Sequence, residues 1–154
     1  MTLFEPFTPE HWRDARRLIE TYAASLNVDL SFQNFGEEIE HLSIEYGPPN
    51  GAFLLAEASD RAIGCVGLRA FDETTGEIKR LYVDPAARGH GAGRALAEAI
   101  VARGREIGYA RLVLDTLPTM GAAQALYVAL GFTPIEPYRF NPVPGTAFME
   151  LNLR

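Results

Sequence analysis

Three glycines and two arginines stand at the start of a helical pattern near the middle of the chain. The segment reads Arg88-Gly89-His90-Gly91-Ala92-Gly93-Arg94, and it follows an apolar strand pattern that ends at Asp84-Pro85. A helix N-terminus carries free backbone N–H groups and a partial positive charge, and glycines remove side chains that would keep an anion away. The pattern therefore predicts that the backbone from Gly89 to Arg94 binds a phosphate group.

Positive charge is concentrated around this turn, although the chain as a whole has a net charge of −6. We expect Lys79, Arg80, Arg88 and Arg94 to form a basic cluster for a polyanionic ligand, with scattered solvated charge as the alternative. The negative overall charge argues against general binding of nucleic acids.

Two nucleotide-binding motifs fail at this turn. The P-loop requires Gly-Lys-Ser/Thr, which the chain lacks. The dinucleotide fingerprint G-x-G-x-x-G/A meets Arg94 at its last position when it starts at Gly89, and Leu96 when it starts at Gly91. A strand that ends near Asp115 does lie about 20 residues further on, where a ribose-binding acid is expected. A nucleotide-binding protein therefore stays an alternative.

A third motif fits the turn. Arg88-x-x-Gly91-x-Gly93 matches the Gln/Arg-x-x-Gly-x-Gly/Ala turn of the GNAT superfamily of N-acetyltransferases. Further on, Ala123-x-x-Leu126-Tyr127-x-x-x-Gly131-Phe132 resembles the second signature of that family. The two motifs occur in the family's order with a strand between them. The resemblance covers Ala52 to Phe132 well and the rest of the chain loosely.

The resemblance implies that acetyl-CoA is the co-substrate and that its acetyl group moves to a primary amine by direct transfer within a ternary complex. In the family, the glycine turn holds the pyrophosphate of coenzyme A, and the pantetheine arm pairs with the preceding strand. One backbone N–H of that strand would face the thioester oxygen. The cofactor-binding residues implied in this chain are Leu81, Tyr82, Val83, Arg88, Gly89, His90, Gly91, Ala92, Gly93 and Arg94.

Two side chains match catalytic positions of the family. Tyr127 corresponds to the tyrosine near the coenzyme sulfur, where a phenol can protonate the departing thiolate; the alternative is a buried packing tyrosine. Glu77 lies eleven residues before Arg88, which is the offset of the catalytic glutamate in the histone-modifying branch. The alternative for Glu77 is an ion pair with Lys79 or Arg80.

Other positions give weaker indications. Many family members have no dedicated side-chain base, and Asp115 and Glu45 are reserve candidates with no motif behind them. Family members often carry asparagine seven residues before the tyrosine, and this chain has Met120 there. A cofactor contact made by that asparagine is therefore lost or supplied elsewhere.

The acceptor is predicted only as a class: a small-molecule amine or a protein amine. A second predicted helix, 34–46, carries Glu37, Glu38, Glu40 and Glu45, and such an acidic wall could attract a cationic amine. The alternative is a solvated helix face. The proline- and tyrosine-rich loop at 137–145 is expected to shape the acceptor pocket or to form a homodimer contact.

Length and composition indicate the class of protein to which these residues belong. The chain has 154 residues, 47% of them hydrophobic, which predicts a single domain over 1–154. No apolar run approaches the length of a membrane span and no signal peptide opens the chain, so we expect a cytoplasmic protein without a membrane partner. The lone cysteine, Cys65, is expected to be a buried, unreactive thiol. No metal-ligand cluster is visible, and no metal is expected.

The elements that must position the site follow the order β-α-α-β-β-β-α-β-α-β-β. Segments 52–58 and 62–71 read as a hairpin, and a strand at 77–84 is followed by a helix at 91–107 and a strand at 111–115. A strand, a long helix and a strand imply a parallel crossover. The resemblance implies a mixed α/β fold of the GNAT type. Its central, mostly antiparallel sheet would have six to seven strands, a splayed strand pair and about four flanking helices. A non-catalytic acyl-CoA-binding or sensing module on the same fold is the alternative function.

Overall fold

A single sheet of seven strands runs through the molecule, which a computed structural model describes for residues 1–26 and 29–154. The strands are Thr2–Phe4 (β1), Ala52–Ala58 (β2), Arg61–Ala70 (β3), Thr75–Val83 (β4), Arg111–Thr116 (β5), Thr133–Pro134 (β6) and Ala147–Asn152 (β7). The α-helices within those residues are Pro9–Ser25 (α1), Phe35–Glu40 (α2), Leu42–Glu45 (α3), Ala92–Ile107 (α4) and Gly121–Ala129 (α5). Short 3₁₀ helices cover Leu30–Gln33 and Pro85–Ala87. None of the helices in this part of the chain is long and apolar enough to cross a membrane.

The strands lie in the order β1-β2-β3-β4-β5-β7-β6. All neighbouring pairs are antiparallel except β4 and β5, which are parallel and joined by the crossover helix α4. This confirms the expected mixed, mostly antiparallel sheet, and it does not match the strand–helix alternation of a dinucleotide-binding fold. The stretch expected as one helix at 34–46 is instead divided into α2 and α3, because the backbone of His41 leaves the helical region at φ −134°.

Helix ends follow their local sequence signals. The Oγ1 of Thr8 caps α1 by accepting a hydrogen bond from the backbone N–H of His11 at 3.1 Å, and Pro9 takes the first helical position. At the other end of the crossover, Gly108 closes α4 in the left-handed region at φ 105°. These signals fix where the helices begin and end, and so where α4 presents its N-terminus.

The sheet buries an apolar core on each face. Helix α4 packs Leu96 and Ile100 against the sheet on one side. Helix α1 packs Leu18 and Ile19 on the other side, together with α2 and α3. Cys65 is fully buried on the α1 side, as expected, and its Sγ donates to the carbonyl oxygen of Arg80 at 3.3 Å. Burial raises the pKa of this thiol well above its usual value.

Strands β4 and β5 pair only over their first residues. Their register runs from Thr75 opposite Arg111 to Glu77 opposite Val113, whereas β5 continues to pair with β7 as far as Thr116 opposite Ala147. The second half of β4 therefore has no strand beside it on the β5 side. This is the splayed strand pair that the sequence resemblance implied.

A β-bulge lies in the unpaired half of β4. Lys79 faces Gly67 and Tyr82 faces Cys65, so Arg80 and Leu81 together stand opposite the single residue Val66. Arg80 takes the left-handed conformation at φ 63°, which is rare for a residue with a side chain. Such bulges re-aim the residues of a strand and are frequent beside active sites. This one redirects the backbone of β4 where it borders the gap.

Candidate active site

A narrow cleft lies where β4 and β5 separate. Its walls come from α1, β4, the end of β5, α5 and the loop after β6. The lining residues are Tyr22, Leu26, Leu30, Ile78, Lys79, Arg80, Leu81, Asp115, Thr116, Leu117, Met120, Ala123, Tyr127 and Asn141. The cleft thus brings together the backbone of Leu81 and the side chain of Tyr127, two of the residues named from the sequence.

The glycine turn leaves the N-terminus of α4 open. Gly91 is the N-cap residue at φ 82°, and no side chain caps the helix. Gly89 has φ 87°, and a Cβ added at either glycine would meet no other atom within 4 Å. Positive φ therefore explains these two glycines, and the space in front of the first N–H groups of α4 is clear. An open, uncapped helix N-terminus of this kind fits a diphosphate.

Gly93 behaves differently from the two glycines before it. It lies inside α4, and a Cβ there would approach the side chains of Val83 and Leu126 at 3.8 and 4.0 Å. A Cβ at Gly93 would therefore have protein neighbours at ordinary contact distance, and the idea that this glycine clears space for an anion stays a prediction. Ala92, beside it, is buried.

The predicted basic cluster is divided by the structure. Arg88, His90 and Arg94 are exposed at the turn, where Arg94 pairs with Glu98 through a 2.6 Å contact. Lys79 and Arg80 are instead buried in the sheet. The charge at the turn thus comes from arginines that solvent and a ligand can both reach.

The strand residues before the turn occupy different environments. Leu81 is half-buried and lines the cleft, while Val83 packs into the core on the α4 side. The ring of Tyr82 is buried on the α1 side, and the guanidinium of Arg88 lies 5.7 Å from its centroid. The Nε of Arg88 also donates to the carbonyl oxygen of Val83 at 2.9 Å. These contacts tie the end of β4 to the glycine turn.

Tyr127 reaches the cleft from α5. Its ring is buried and packs edge-on against Phe132 at a centroid distance of 5.4 Å. Burial, with smaller contributions from Tyr22 and Asp115, raises the pKa of the phenol well above its usual value. The hydroxyl therefore keeps its proton through the physiological pH range and can serve as a hydrogen-bond donor in the cleft.

Glu77 lies outside the lining of the cleft. It is fully buried where β4 and β5 still pair, and its Oε1 accepts from Arg69 at 3.2 Å and from Arg139 at 2.8 Å. Its Oε2 accepts from the hydroxyl of Tyr138 at 2.7 Å. The ion pair that the sequence left open is present, although its partners are Arg69 and Arg139 rather than Lys79 or Arg80. Its role as a base stays a prediction.

The loop at 137–145 contacts β4 and β5 close to the point where these strands separate. Tyr138 and Arg139 contact Glu77, as described above, and the Nδ2 of Asn141 donates to the Oδ2 of Asp115 at 3.2 Å. Burial, followed by the nearby Glu77 carboxylate, raises the pKa of Tyr138 well above its usual value. The loop therefore closes one side of the cleft.

The acidic residues of α2 and α3 are each paired. Glu38 is buried, and its two oxygens accept from the Nε and Nη2 of Arg80 at 2.8 and 2.7 Å. Glu45 pairs with Arg69, Glu40 with Arg16 at 3.1 Å, and Glu37 with His41 at 3.5 Å. The arginine partners of Glu38, Glu40 and Glu45 reduce the negative potential of these helices, whereas the ring of His41 offsets the charge of Glu37 only when it is protonated.

Sequence reasoning named Lys79 and Asp115 without foreseeing that they pair in the cleft, and it missed Thr116. The amine of Lys79 lies 3.9 Å from the Oδ1 of Asp115, and both side chains are almost fully buried. The Oγ1 of Thr116 is buried without a hydrogen-bond partner among the described residues. One signal was present in the sequence, because Lys79 is the only lysine in the chain. Met120 stands at the position where the family often has asparagine, and its Sδ accepts a hydrogen bond from the hydroxyl of Tyr22 at 3.7 Å.

Solved structures of other proteins share this fold. The fold is shared with an acetyltransferase of the GNAT family from Staphylococcus aureus, with a TM-score of 0.82 at 21% identity over 99% of each chain. A GNAT family acetyltransferase from Elizabethkingia anophelis, determined with acetyl-CoA bound, has a TM-score of 0.58 at 24% identity, over 68% of this chain and 77% of its own. The chain therefore shares its fold with these two acetyltransferases.

The sequence comparisons are more specific. Residues 10–132 match the profile of the acetyltransferase (GNAT) family. An uncharacterised N-acetyltransferase of Schizosaccharomyces pombe is 37% identical over 94% of this chain and 90% of its own. The chain belongs to the GNAT family of acetyltransferases, as its two motifs indicated.

Proposed function

We propose that this protein, acting as a single domain over residues 1–154, transfers the acetyl group of acetyl-CoA to a primary amine by direct transfer in a ternary complex. The observation that carries the proposal is the continuity of the site. The unpaired half of β4 lines the same cleft as Tyr127, and along the chain it leads into the uncapped N-terminus of α4. The acetyl-CoA found in the Elizabethkingia relative supports the same co-substrate for this chain.

The proposed position of acetyl-CoA follows from these features. The diphosphate rests on the backbone N–H groups between Gly89 and Arg94, with Arg88 and Arg94 beside it. The pantetheine arm pairs with the free edge of β4 along Leu81, Tyr82 and Val83, as an added strand does. The thioester then lies beside the bulge at Arg80 and Leu81, where a backbone N–H can stabilise the oxyanion.

The chemistry needs few groups from the protein. The amine nitrogen attacks the thioester carbonyl carbon, the C–N bond forms, and the C–S bond breaks as the tetrahedral intermediate collapses. Tyr127 donates its proton to the departing thiolate and recovers one from the nitrogen of the intermediate. Burial keeps the phenol of Tyr127 protonated, so its hydroxyl is available to donate a hydrogen bond to the thiolate as the C–S bond breaks.

Direct transfer is favoured over an acyl-enzyme intermediate by the state of the thiol. Cys65 is the only cysteine in the chain, and it is fully buried with its Sγ bonded to the backbone of Arg80. Burial raises its pKa, which makes it a poor nucleophile. Initial rates measured against both substrates should therefore give intersecting double-reciprocal lines, and parallel lines would indicate an acyl-enzyme instead.

The acceptor is proposed as a primary amine that enters between α1, α2 and the loop at 137–145. A cationic amine was suggested by the acidic helix, and the ion pairs of Glu38 and Glu45 weaken that preference. The loop supports the acceptor site through Asn141, which lines the cleft. Whether the amine belongs to a small molecule or to a protein is decided by an acceptor screen that contains both.

A Tyr127→Phe variant tests the catalytic half of the proposal. We expect kcat to fall by about 10²–10⁴-fold, because the general acid is lost, while the dissociation constant of acetyl-CoA changes little. Tyr109→Phe is a matched control, since the Tyr109 hydroxyl bonds the backbone of Asn50 away from the cleft. Rates and acetyl-CoA affinity are measured for both variants. Unchanged turnover in Tyr127→Phe would refute the acid role.

The alternative function is a non-catalytic acyl-CoA-binding or sensing module. It predicts the same affinity for acetyl-CoA but no acetylated product with any amine. The two functions therefore differ in one observable, the appearance of free thiol together with an acetylated amine.

A further inference from the structure

Lys79 is an unusual residue in this chain. It is the only lysine among 154 residues, in which every other residue of the Lys and Arg total of 14 is arginine. Lysines are among the residues that proteins most rarely bury, yet this side chain is only 2% exposed. It projects from the unpaired half of β4 and lines the same cleft as Leu81 and Tyr127.

The amine of Lys79 has a carboxylate partner that is itself held in place. Asp115, at the end of β5, lies with its Oδ1 3.9 Å from the Nζ of Lys79, and its Oδ2 accepts from the Nδ2 of Asn141 at 3.2 Å. The Oδ1 of Asn141 accepts from the backbone N–H of Val143 at 3.0 Å, which fixes the amide orientation. The three side chains form a chain from the loop, through β5, to the amine on β4.

This arrangement has the parts of a base and its orienting partner. A proton that arrives on the lysine amine creates an ammonium ion in a buried site, where it would be costly without a nearby negative charge. Asp115 supplies that charge, in the way that a carboxylate stabilises a protonated base in catalytic triads. Asn141 keeps the carboxylate turned towards the cleft.

We propose that Lys79 is the proton acceptor for the amine substrate, with Asp115 as its positioning residue. The inference rests on the proposed acetyl transfer. The incoming R–NH₃⁺ gives one proton to the neutral Nζ of Lys79 and becomes R–NH₂, which attacks the acetyl carbon. The second proton leaves the nitrogen in the tetrahedral intermediate and reaches the coenzyme thiolate through Tyr127. The products are the amide and the thiol, and Lys79 returns its proton to water.

The surroundings of Lys79 favour its neutral form at mildly alkaline pH. Burial, followed by the charge of Arg80 on the same strand and by Arg69 on β3, lowers the pKa of Lys79 to about 8, against the opposing effect of Glu77 and Asp115. The other titratable groups that line this cleft are Tyr22 from α1 and Tyr127 from α5, both with raised pKa values. A lysine with a pKa in this range is partly neutral near the working pH, as a general base must be.

Neighbouring groups are less suited to the same task. The oxygens of Glu77 already accept three hydrogen bonds, and its side chain does not line the cleft. Arg80, the other cation in the lining, cannot lose its proton in the accessible pH range. Lys79 is therefore the group whose position and chemistry fit together.

A first experiment uses the fact that the chain has one lysine. Protein labelled with ¹³C-lysine should give a single lysine Cε resonance, which a Lys79→Met variant lacks. We expect this resonance to titrate about two pH units below that of an exposed lysine, and to do so in the protein without any amine. Titration at the ordinary value near 10.4 would overturn the proposal, because the amine would then be charged at every working pH.

A second experiment measures the role in turnover. Wild type, Lys79→Met, Lys79→Arg and Glu77→Gln are assayed from pH 6 to pH 10 with acetyl-CoA and the best alkyl amine of a panel. The same rates are measured with the alkoxyamine of matching shape, whose nitrogen is already neutral at pH 7. We expect both Lys79 variants to lose about 10²–10⁴-fold in kcat with the alkyl amine and much less with the alkoxyamine. Acetyl-CoA affinity, measured in parallel, reports on the integrity of the fold.

The outcomes separate this inference from the proposed function. Equal losses with both nucleophiles, or a Lys79→Arg variant that keeps the wild-type pH profile, would show that Lys79 is structural while acetyl transfer stands. A loss that follows amine basicity in Glu77→Gln instead would assign the base to Glu77. If wild type makes no acetylated product from any amine, the proposed function fails and the inference about Lys79 fails with it.

Discussion

At the scale of single residues, the site is held together by buried charge pairs. Arg80 sits at the bulge in β4, and its guanidinium donates twice to Glu38 on α2 while lying 5.4 Å from the ring centroid of Phe35. Burial alone would raise the pKa of Glu38, but its bonds from Arg80 and Tyr46 outweigh that effect and hold the pKa below its usual value. The pair links α2 to the bulged strand β4.

Removing one member of this pair should be costly. An Arg80→Met variant leaves Glu38 buried without its cation, and we expect the free energy of unfolding to fall by about 3–5 kcal/mol. Arg16→Met is the matched control, because Arg16 pairs with Glu40 at the surface and should contribute less than about 1 kcal/mol. Urea unfolding at one pH measures both. Similar small losses would mean that the buried pair does not hold α2 to the sheet.

Lys79 should leave a signature in the pH dependence of stability. Its pKa is lowered to about 8 in the folded chain, so between about pH 8 and about pH 10 the unfolded state binds more protons than the folded state. Stability contributed by this site therefore rises with pH across that window, by up to about 1.4 kcal/mol per pH unit. The free energy of unfolding of wild type minus that of Lys79→Met should increase accordingly. Parallel curves for the two proteins would contradict a lowered pKa.

Residue roles were only partly predictable from the sequence. Motif spacing led to Tyr127, which the structure places in the cleft, and to Glu77, which it places in an ion-pair network beside the cleft. An offset along the chain cannot show that Arg69 and Arg139, from a neighbouring strand and a distant loop, converge on one carboxylate. Lys79 was predicted to belong to a basic cluster for a polyanionic ligand, because neither the bulge in β4 nor the separation of β4 from β5 has a local sequence signal.

At the scale of elements, the N-terminus of α4 depends on two glycines and tolerates a side chain at the third. Gly89 and Gly91 have positive φ values of 87° and 82°, which a residue with a Cβ adopts only with strain. Gly93 lies within the helix with ordinary backbone geometry, and a methyl group there would make normal contacts with Val83 and Leu126. Backbone conformation therefore requires glycine at positions 89 and 91 but not at position 93.

Alanine substitutions should show which of these glycines the backbone conformation requires. Gly93→Ala is expected to stabilise the protein by about 0.5–1 kcal/mol, since alanine is the better helix former, and to leave acetyl-CoA affinity nearly unchanged. Gly91→Ala is expected to destabilise by about 1–2 kcal/mol and to weaken acetyl-CoA binding, because the N-cap must leave its conformation. Thermal unfolding and calorimetric titration measure the two effects. Weaker binding in Gly93→Ala alone would show that its missing side chain borders the ligand after all.

Element boundaries were read well where a single residue decides them. Thr8-Pro9 and Gly108 are local signals, and the helices that they bound begin and end there. The stretch at 34–46 was harder, because no glycine or proline marks the break at His41 between α2 and α3. The two-residue strand β6 has a similar cause, since its pairing with β7 is decided by a distant segment.

At the scale of the whole molecule, the candidate site lies where two strands of one sheet separate. Strand β5 separates from β4 after Glu77 and stays paired with β7, while β4 stays paired with β3. The sheet therefore opens between β4 and β5, and each of the two strands keeps its other neighbour. The ring of Tyr46 packs closely on β3 at Gly67, where an added Cβ would lie 2.5 Å from the ring. The opening is thus framed by well-packed elements, which suits a site that must hold two substrates in one geometry.

The architecture was predictable from the sequence because its two motifs lie on either side of the gap. The glycine turn follows β4 and the tyrosine motif lies on α5, so their order implied a strand, a crossover and a second strand between them. What the sequence did not show is how the loop at 137–145 folds back, with Tyr138 and Asn141 reaching the splay from far along the chain. Such contacts depend on the closed sheet rather than on local propensity.

The most direct test of the account is whether the protein moves an acetyl group. Wild-type protein is incubated with acetyl-CoA carrying a ¹³C-labelled acetyl group and a panel of small-molecule and peptide amines, and mass spectrometry follows labelled amide and free thiol. The account predicts that the two products appear in equal amounts, and that Tyr127→Phe forms them far more slowly. Tight binding of acetyl-CoA without labelled amide on any amine would contradict it and would favour a sensing module on the same fold.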